Sequence, residues 1–220
     1  MDFKRILLLS GHYGSGKTNI AVNLAFHLKT ERERVTIADV DIVNPYFRTS
    51  DSRKELDNAG IRLIASSFAG SNVDLPALPA EIYGLTADRG QTAVIDVGGD
   101  DRGALALGRL RDEILAEDNY EMLFVINRFR PLTRTAEMTL EVMQEIEAAG
   151  RIPFTAVINN SNLGEETTAE DVLSSQAYAD EVSRLTGLPL KMTTVNENLY
   201  PQLEGKIDNL FPLRLQEKIK

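Results

Sequence analysis

The stretch Gly11–Thr18, reading G-H-Y-G-S-G-K-T, constrains this chain more than any other. It satisfies the G-x-x-x-x-G-K-[S/T] spacing of a phosphate-binding loop. Glycines let the backbone curl so that its N–H groups converge on one concavity. The helix that follows adds its positive N-terminal end. Lys17 is expected to bridge β- and γ-phosphate oxygens, and Thr18 to place its hydroxyl on Mg²⁺. A plain glycine turn would leave Lys17 and Thr18 unexplained. The expected nucleotide-contacting set is Gly11, Tyr13, Gly14, Ser15, Gly16, Lys17, Thr18 and Asn19.

The flanks support this reading. An apolar run, I-L-L-L at 6–9, leads into the loop. Behind it, residues 17–29 place Ile20, Leu24 and Leu28 on one helical face, with Ala21 and Ala25 beside them. The alternation continues. Strands are predicted at 3–10, 34–38, 61–64, 91–97, 121–127, 154–159 and 188–193. Helices are predicted at 17–29, 51–59, up to about 88, at 103–116, 132–149 and 169–186, with a short closing helix at 211–219. This pattern implies a three-layer α/β architecture, a mostly parallel sheet of about seven strands with helices on both faces.

With 220 residues, 43% of them hydrophobic, and no repeat or linker, a single domain over 1–220 is expected. The chain has no cysteine, which excludes disulfides and cysteine-held zinc or iron–sulfur centres. Its net charge is −9, so no specific nucleic-acid partner is expected. No apolar run approaches a membrane span, and the run at 6–9 is too short for a signal peptide. Cytoplasmic residence is the expectation.

Ligands of open α/β sheets bind outside the carboxyl ends of the strands. Asp39 and Asp41 follow the second strand, and Asp96 ends the fourth, before Gly98-Gly99. Asp96 is the expected holder of Mg²⁺ through its waters. Asp41 is expected to orient an attacking water. Asp39 either supports the metal's water shell or begins a turn. Gly99 is expected to offer its N–H to the γ-phosphate, while Asp100 and Asp101 read as a solvated loop or a helix cap.

Three segments together, G-H-Y-G-S-G-K-T-N, A-D-V-D-I-V-N-P and A-V-I-D-V-G-G-D, resemble the MinD/ParA-like ATPases. These belong to the CobQ/CobB/MinD/ParA nucleotide-binding domain family, with a P-loop NTPase fold. The resemblance runs from the first strand through the sixth. It implies ATP/ADP and Mg²⁺ as ligands, slow hydrolysis and an ATP-dependent homodimer, with an unknown protein partner. By position, Asp41 matches the water-orienting aspartate, Asp96 the metal-associated one, and Asn159 the asparagine that contacts adenine, with Asn160 adjacent to it. Lys17 and Asp41 are the expected catalytic pair; Thr18, Asp39 and Asp96 are the expected metal set.

One departure stands out. The family's loop usually carries a second lysine, five residues before the first, that crosses to the partner's ATP. Here that place is His12, and Tyr13 stands where glycine is usual. Neutral imidazole cannot supply the same permanent charge. Arg128, Arg130 and Arg134 follow the fifth strand. They read as a solvent-facing basic loop, with an arginine entering the site as the alternative. Tyr46 and Phe47 either present an aromatic patch to a partner or pack under their loop. The C-terminal segment reads as a closing surface helix rather than a membrane anchor. No N-K-x-D stretch follows the fifth or sixth strand, which favours ATP over GTP. The alternatives to a switch ATPase are a carboxylate-activating amidoligase, as in cobyrinate or dethiobiotin synthesis, and a module that only senses ATP.

Overall fold

A computed structural model describes residues 1–40, 49–65, 80–98 and 107–215. Its strands are β1 (Ile6–Ser10), β2 (Val35–Val40), β3 (Arg62–Ala65), β4 (Thr92–Val97), β5 (Tyr120–Ile126), β6 (Ala156–Asn159), β7 (Leu190–Asn196) and β8 (Leu210–Leu213). They form one sheet in the order β3-β2-β4-β1-β5-β6-β7-β8, and every pairing is parallel. Strands β1, β4, β5 and β6 read as largely apolar runs because helices cover both of their faces.

The helices are α1 (Lys17–Glu31), α2 (Arg53–Asn58), α3 (Tyr83–Ala87), α4 (Arg111–Glu117), α5 (Ala136–Gly150), α6 (Ala169–Ser174), α7 (Gln176–Thr186) and α8 (Tyr200–Leu203). Strand periodicity sorts them into two layers. Leu7 and Leu9 of β1 pack with Ile20, Leu24 and Leu28 of α1 and Leu56 of α2. Ile6 and Leu8 face the other way, toward Leu85 of α3, Ile114 of α4, Met143 of α5 and Val182 of α7. The result is the three-layer α/β P-loop fold.

Two expectations change. The closing helix at 211–219 is not there: Leu210–Leu213 is an eighth strand, and 216–219 lie outside the described residues. Phe211 and Leu213 are buried while Pro212 between them is exposed, the period of a strand. Pro212 has no N–H to donate, and an edge strand tolerates that. The helix over 169–186 is two helices that meet at Ser175. Of the helix at 103–116, residues up to 106 lie outside the described residues, as do Asp41, Tyr46, Phe47, Gly99, Asp100 and Asp101.

Candidate nucleotide site

β1 ends at Ser10 and delivers the chain into the glycine loop, and α1 starts at Lys17. Two glycines here are required by space. A Cβ on Gly11 would meet the carbonyl oxygen of Val125 at 2.3 Å. Gly16 has φ +93°, and a Cβ there would meet Asn160 Nδ2 at 2.2 Å. The loop therefore lies directly on the ends of β5 and β6. Ser15 N–H donates to His12 O at 3.1 Å, closing the turn. Lys17 is 4% exposed and its Nζ reaches back to His12 O at 3.4 Å.

Two side chains that line the cavity beside the loop hold it in place. Asn160 Nδ2 donates to Ser15 O at 2.6 Å, and Asn160 Oδ1 accepts from the Thr194 hydroxyl of β7 at 2.7 Å. Arg130 Nε donates to Gly14 O at 2.8 Å. In a trans peptide, C=O and N–H point oppositely. Drawing the Ser15 carbonyl toward Asn160 therefore turns the Gly16 N–H away from Asn160. Ser15 Oγ is buried and has no hydrogen-bond partner among the described residues. Bent backbone donors and an orphaned hydroxyl suit an anion.

On the α1 side of the sheet, Asp39 of β2 and Asp96 of β4 are register partners, and Asp96 also pairs with Leu9 of β1. Their side chains share the face of Leu9, at 7% and 0% exposure. Asp39 Oδ2 accepts the Thr49 N–H at 3.3 Å. Two neighbouring buried carboxylates disfavour each other's charge and favour a cation. With the hydroxyl of Thr18 they would give an all-oxygen donor set, the chemistry that suits Mg²⁺ completed by water and phosphate.

The paired asparagines divide by strand parity. Asn159 is fully buried on the opposite face, donating from Nδ2 to Ser175 Oγ at 2.9 Å and accepting the Ser161 N–H and hydroxyl. The structure thus brings Asn160, not Asn159, to the loop. Of the three arginines, Arg130 joins it. Arg128 turns away to donate to Ser174 O at 2.8 Å, and Arg134 is exposed. His12 is held below its ordinary pKa by burial first, then by the charges of Lys17 and Arg130, so it is neutral at pH 7. Tyr13 is 48% exposed.

A cavity of about 480 Å³ opens beside the loop, lined among others by Lys17, Thr18, Asn19, Asn160, Leu163 and Leu215. A second, of about 370 Å³, lies against Met1, Asn23, His27 and Phe211, away from the loop. Arg130 and Asn160 were candidates in the sequence, but their bracing of the loop, and Thr194 altogether, escaped it because each acts across a long loop closure. The contacts of Arg130 and Asn160 span 116 and 145 residues.

A family model described as the CobQ/CobB/MinD/ParA nucleotide binding domain matches residues 6–170. The chain belongs to this family. No curated protein sequence matches it. Among solved structures, chloroplast FtsY from Physcomitrella patens is 17% identical at a TM-score of 0.59, over 97% of this chain and 63% of that one. Cell division protein FtsY from Thermotoga maritima is 17% identical at 0.58, over 88% and 62%. The 54 kDa signal recognition particle protein from Aeropyrum pernix K1, in complex with GDP, is 20% identical at 0.52, over 87% and 41%. The chain thus spans less than two thirds of each. These likenesses concern the fold alone. Among the described residues no helix is long and apolar enough to cross a membrane.

Proposed function

We propose that this chain is an ATP-dependent switch that binds Mg-ATP in the Gly11–Thr18 loop and hydrolyses it slowly to ADP and phosphate. The observation that carries the reading is the convergence of a braced glycine loop, buried Lys17 and the register pair Asp39 and Asp96 at one edge of the sheet. Lys17 and the loop N–H groups hold the phosphates. Thr18, Asp39 and Asp96 would hold the metal or its waters. Bound Mg²⁺ supplies neutralisation of phosphate charge. Asp41 is assigned to orient the attacking water.

Adenine is favoured over guanine by the residues at the end of β6. They read Asn160-Ser161-Asn162-Leu163, with a leucine where N-K-x-D would carry its carboxylate. His12, neutral, does not replace the family's second lysine. Arg130, permanently charged and bound to the loop at Gly14, is the cation available in its stead. Cytoplasmic residence, a single domain over 1–220 and an ATP-dependent homodimer or protein partner complete the reading.

Calorimetric titration with Mg-ATP and Mg-GTP tests it, together with phosphate release and mass in solution with and without ATP. The expectation is tighter ATP than GTP binding, turnover on the order of 10⁻⁴–10⁻² s⁻¹ and loss of turnover in Asp41→Ala. Tighter GTP binding would reject the adenine assignment. Unchanged ATP binding in Lys17→Ala would reject the site.

A further inference from the structure

Part of the cavity beside the loop is lined by the chain's last described residues, Leu213 and Leu215. β8 is an edge strand, paired with β7 from Leu210 to Leu213. Beyond Leu213 the ladder stops. Residue 214 is instead taken up by a side chain of α1. Asn23 Oδ1 accepts the Arg214 N–H at 2.9 Å, and Asn23 Nδ2 donates to Arg214 O at 3.0 Å. One amide thus satisfies both backbone groups of one residue, as a neighbouring strand would. The same Nδ2 donates to Asn19 O at 2.8 Å, so the clamp sits one helical turn beyond the loop's own residues.

What the clamp positions is apolar. Leu213 and Leu215 line the cavity, joined there by Leu163 and by Val195 of β7. Leu163 and Leu215 are 45% and 37% exposed, two of the few large apolar side chains open to solvent. Exposed leucines that share one cavity are a surface for a flat apolar group. Gly16, Lys17 and Thr18 of the phosphate loop line the same cavity, so that group is a nucleobase.

We propose that residues 213–215 form a nucleobase-facing strap and that Asn23 is the positioning residue that ties it to the helix of the phosphate loop. This rests on the nucleotide reading above and adds the base-binding element and its anchor. Base and phosphate recognition are then joined through α1. Asn23→Ala keeps a good helix former and, on the loop's side, gives up only its bond to the Asn19 carbonyl.

The test is calorimetric titration of wild type, Asn23→Ala and Leu215→Ser with Mg-ATP and, separately, with Mg-tripolyphosphate, which has no base. Loss of two backbone hydrogen bonds should weaken ATP binding about tenfold in Asn23→Ala. Tripolyphosphate binding should stay within about twofold. Leu215→Ser should show the same split, more weakly. Equal weakening for both ligands, or ATP binding unchanged in Asn23→Ala, would overturn the strap. Wild type that bound tripolyphosphate as tightly as ATP would overturn it too, leaving the phosphate loop intact. Wild type that bound neither would overturn the nucleotide reading and the strap together.

Discussion

The two edges of this sheet handle charge in opposite ways. At the amino edge, Arg5 is 6% exposed and spends its guanidinium inside the protein. It pairs with Glu117 and donates to the carbonyls of Leu85 at 2.9 Å, Asp88 at 3.1 Å and Gln91 at 3.0 Å. Lys191 there pairs with Glu121 at 2.5 Å. At the carboxyl edge, Lys17, Asp39 and Asp96 are as deeply buried but gather around a glycine loop. Side chains there brace the loop's Gly14 and Ser15 carbonyls. One edge spends its buried charge on folding, the other on a ligand.

The widest separation of the two edges should come from one substitution on each. Arg5→Met leaves Glu117, whose side chain is 5% exposed, buried without its partner. Breaking such a pair costs about 3–5 kcal/mol. Thermal and urea unfolding should show that loss, with ATP affinity within about twofold of wild type. Lys17→Ala should do the reverse, losing about 2–5 kcal/mol of binding energy, thirtyfold or more in affinity, with little change in unfolding. A variant that moved both readouts equally would collapse the distinction.

A smaller effect sharpens how the carboxyl edge is built. Gly16→Ala should weaken ATP binding about tenfold, because its Cβ falls 2.2 Å from Asn160 Nδ2 at φ +93°. Asn160→Ala leaves the Ser15 carbonyl unmatched, while the Thr194 hydroxyl keeps the Asn159 carbonyl at 3.3 Å, for a cost of about 1–3 kcal/mol in stability. The double variant removes the obstacle as well as the brace. Its loss of affinity should therefore be smaller than the sum of the two single losses. Additivity would mean that Asn160 does not hold the loop.

The carboxyl edge was the more legible in sequence, though unevenly. The loop's glycines, Lys17 and Thr18 lie within eight residues, and local spacing carries their chemistry. Alternating strands and helices gave the parallel sheet. The brace was not readable, because Asn160 and Arg130 meet the loop only after the sheet brings β5 and β6 beside β1. Neighbouring asparagines look alike in sequence, and only strand parity separates the roles of Asn159 and Asn160. β8 escaped because four residues containing a proline carry little period, and their edge position shows only once β7 is in place. Arg5, an unremarkable basic residue before an apolar run, gave no sign of its burial.

The smallest effect concerns acid, and it separates the edges by pH. Glu117 is held below the usual glutamate pKa by the hydrogen bonds from Arg5, against the opposing effect of burial. Folding therefore draws stability from its charge above pH 4.5, and this is lost as pH falls through the depressed value. His12 is a base held below 6.5, chiefly by burial. The unfolded chain binds its proton more readily, so stability begins to fall below pH 6.5, earlier than at the amino edge. His12 stays partly open to solvent, so its contribution is small. Unfolding free energy measured from pH 7.5 to 3.5 should show a shallow decline below 6.5 that His12→Gln removes, and a steeper one below 4.5 that Glu117→Gln flattens. If His12→Gln left the shallow decline in place, the burial of His12 beside Lys17 and Arg130 would not be its source.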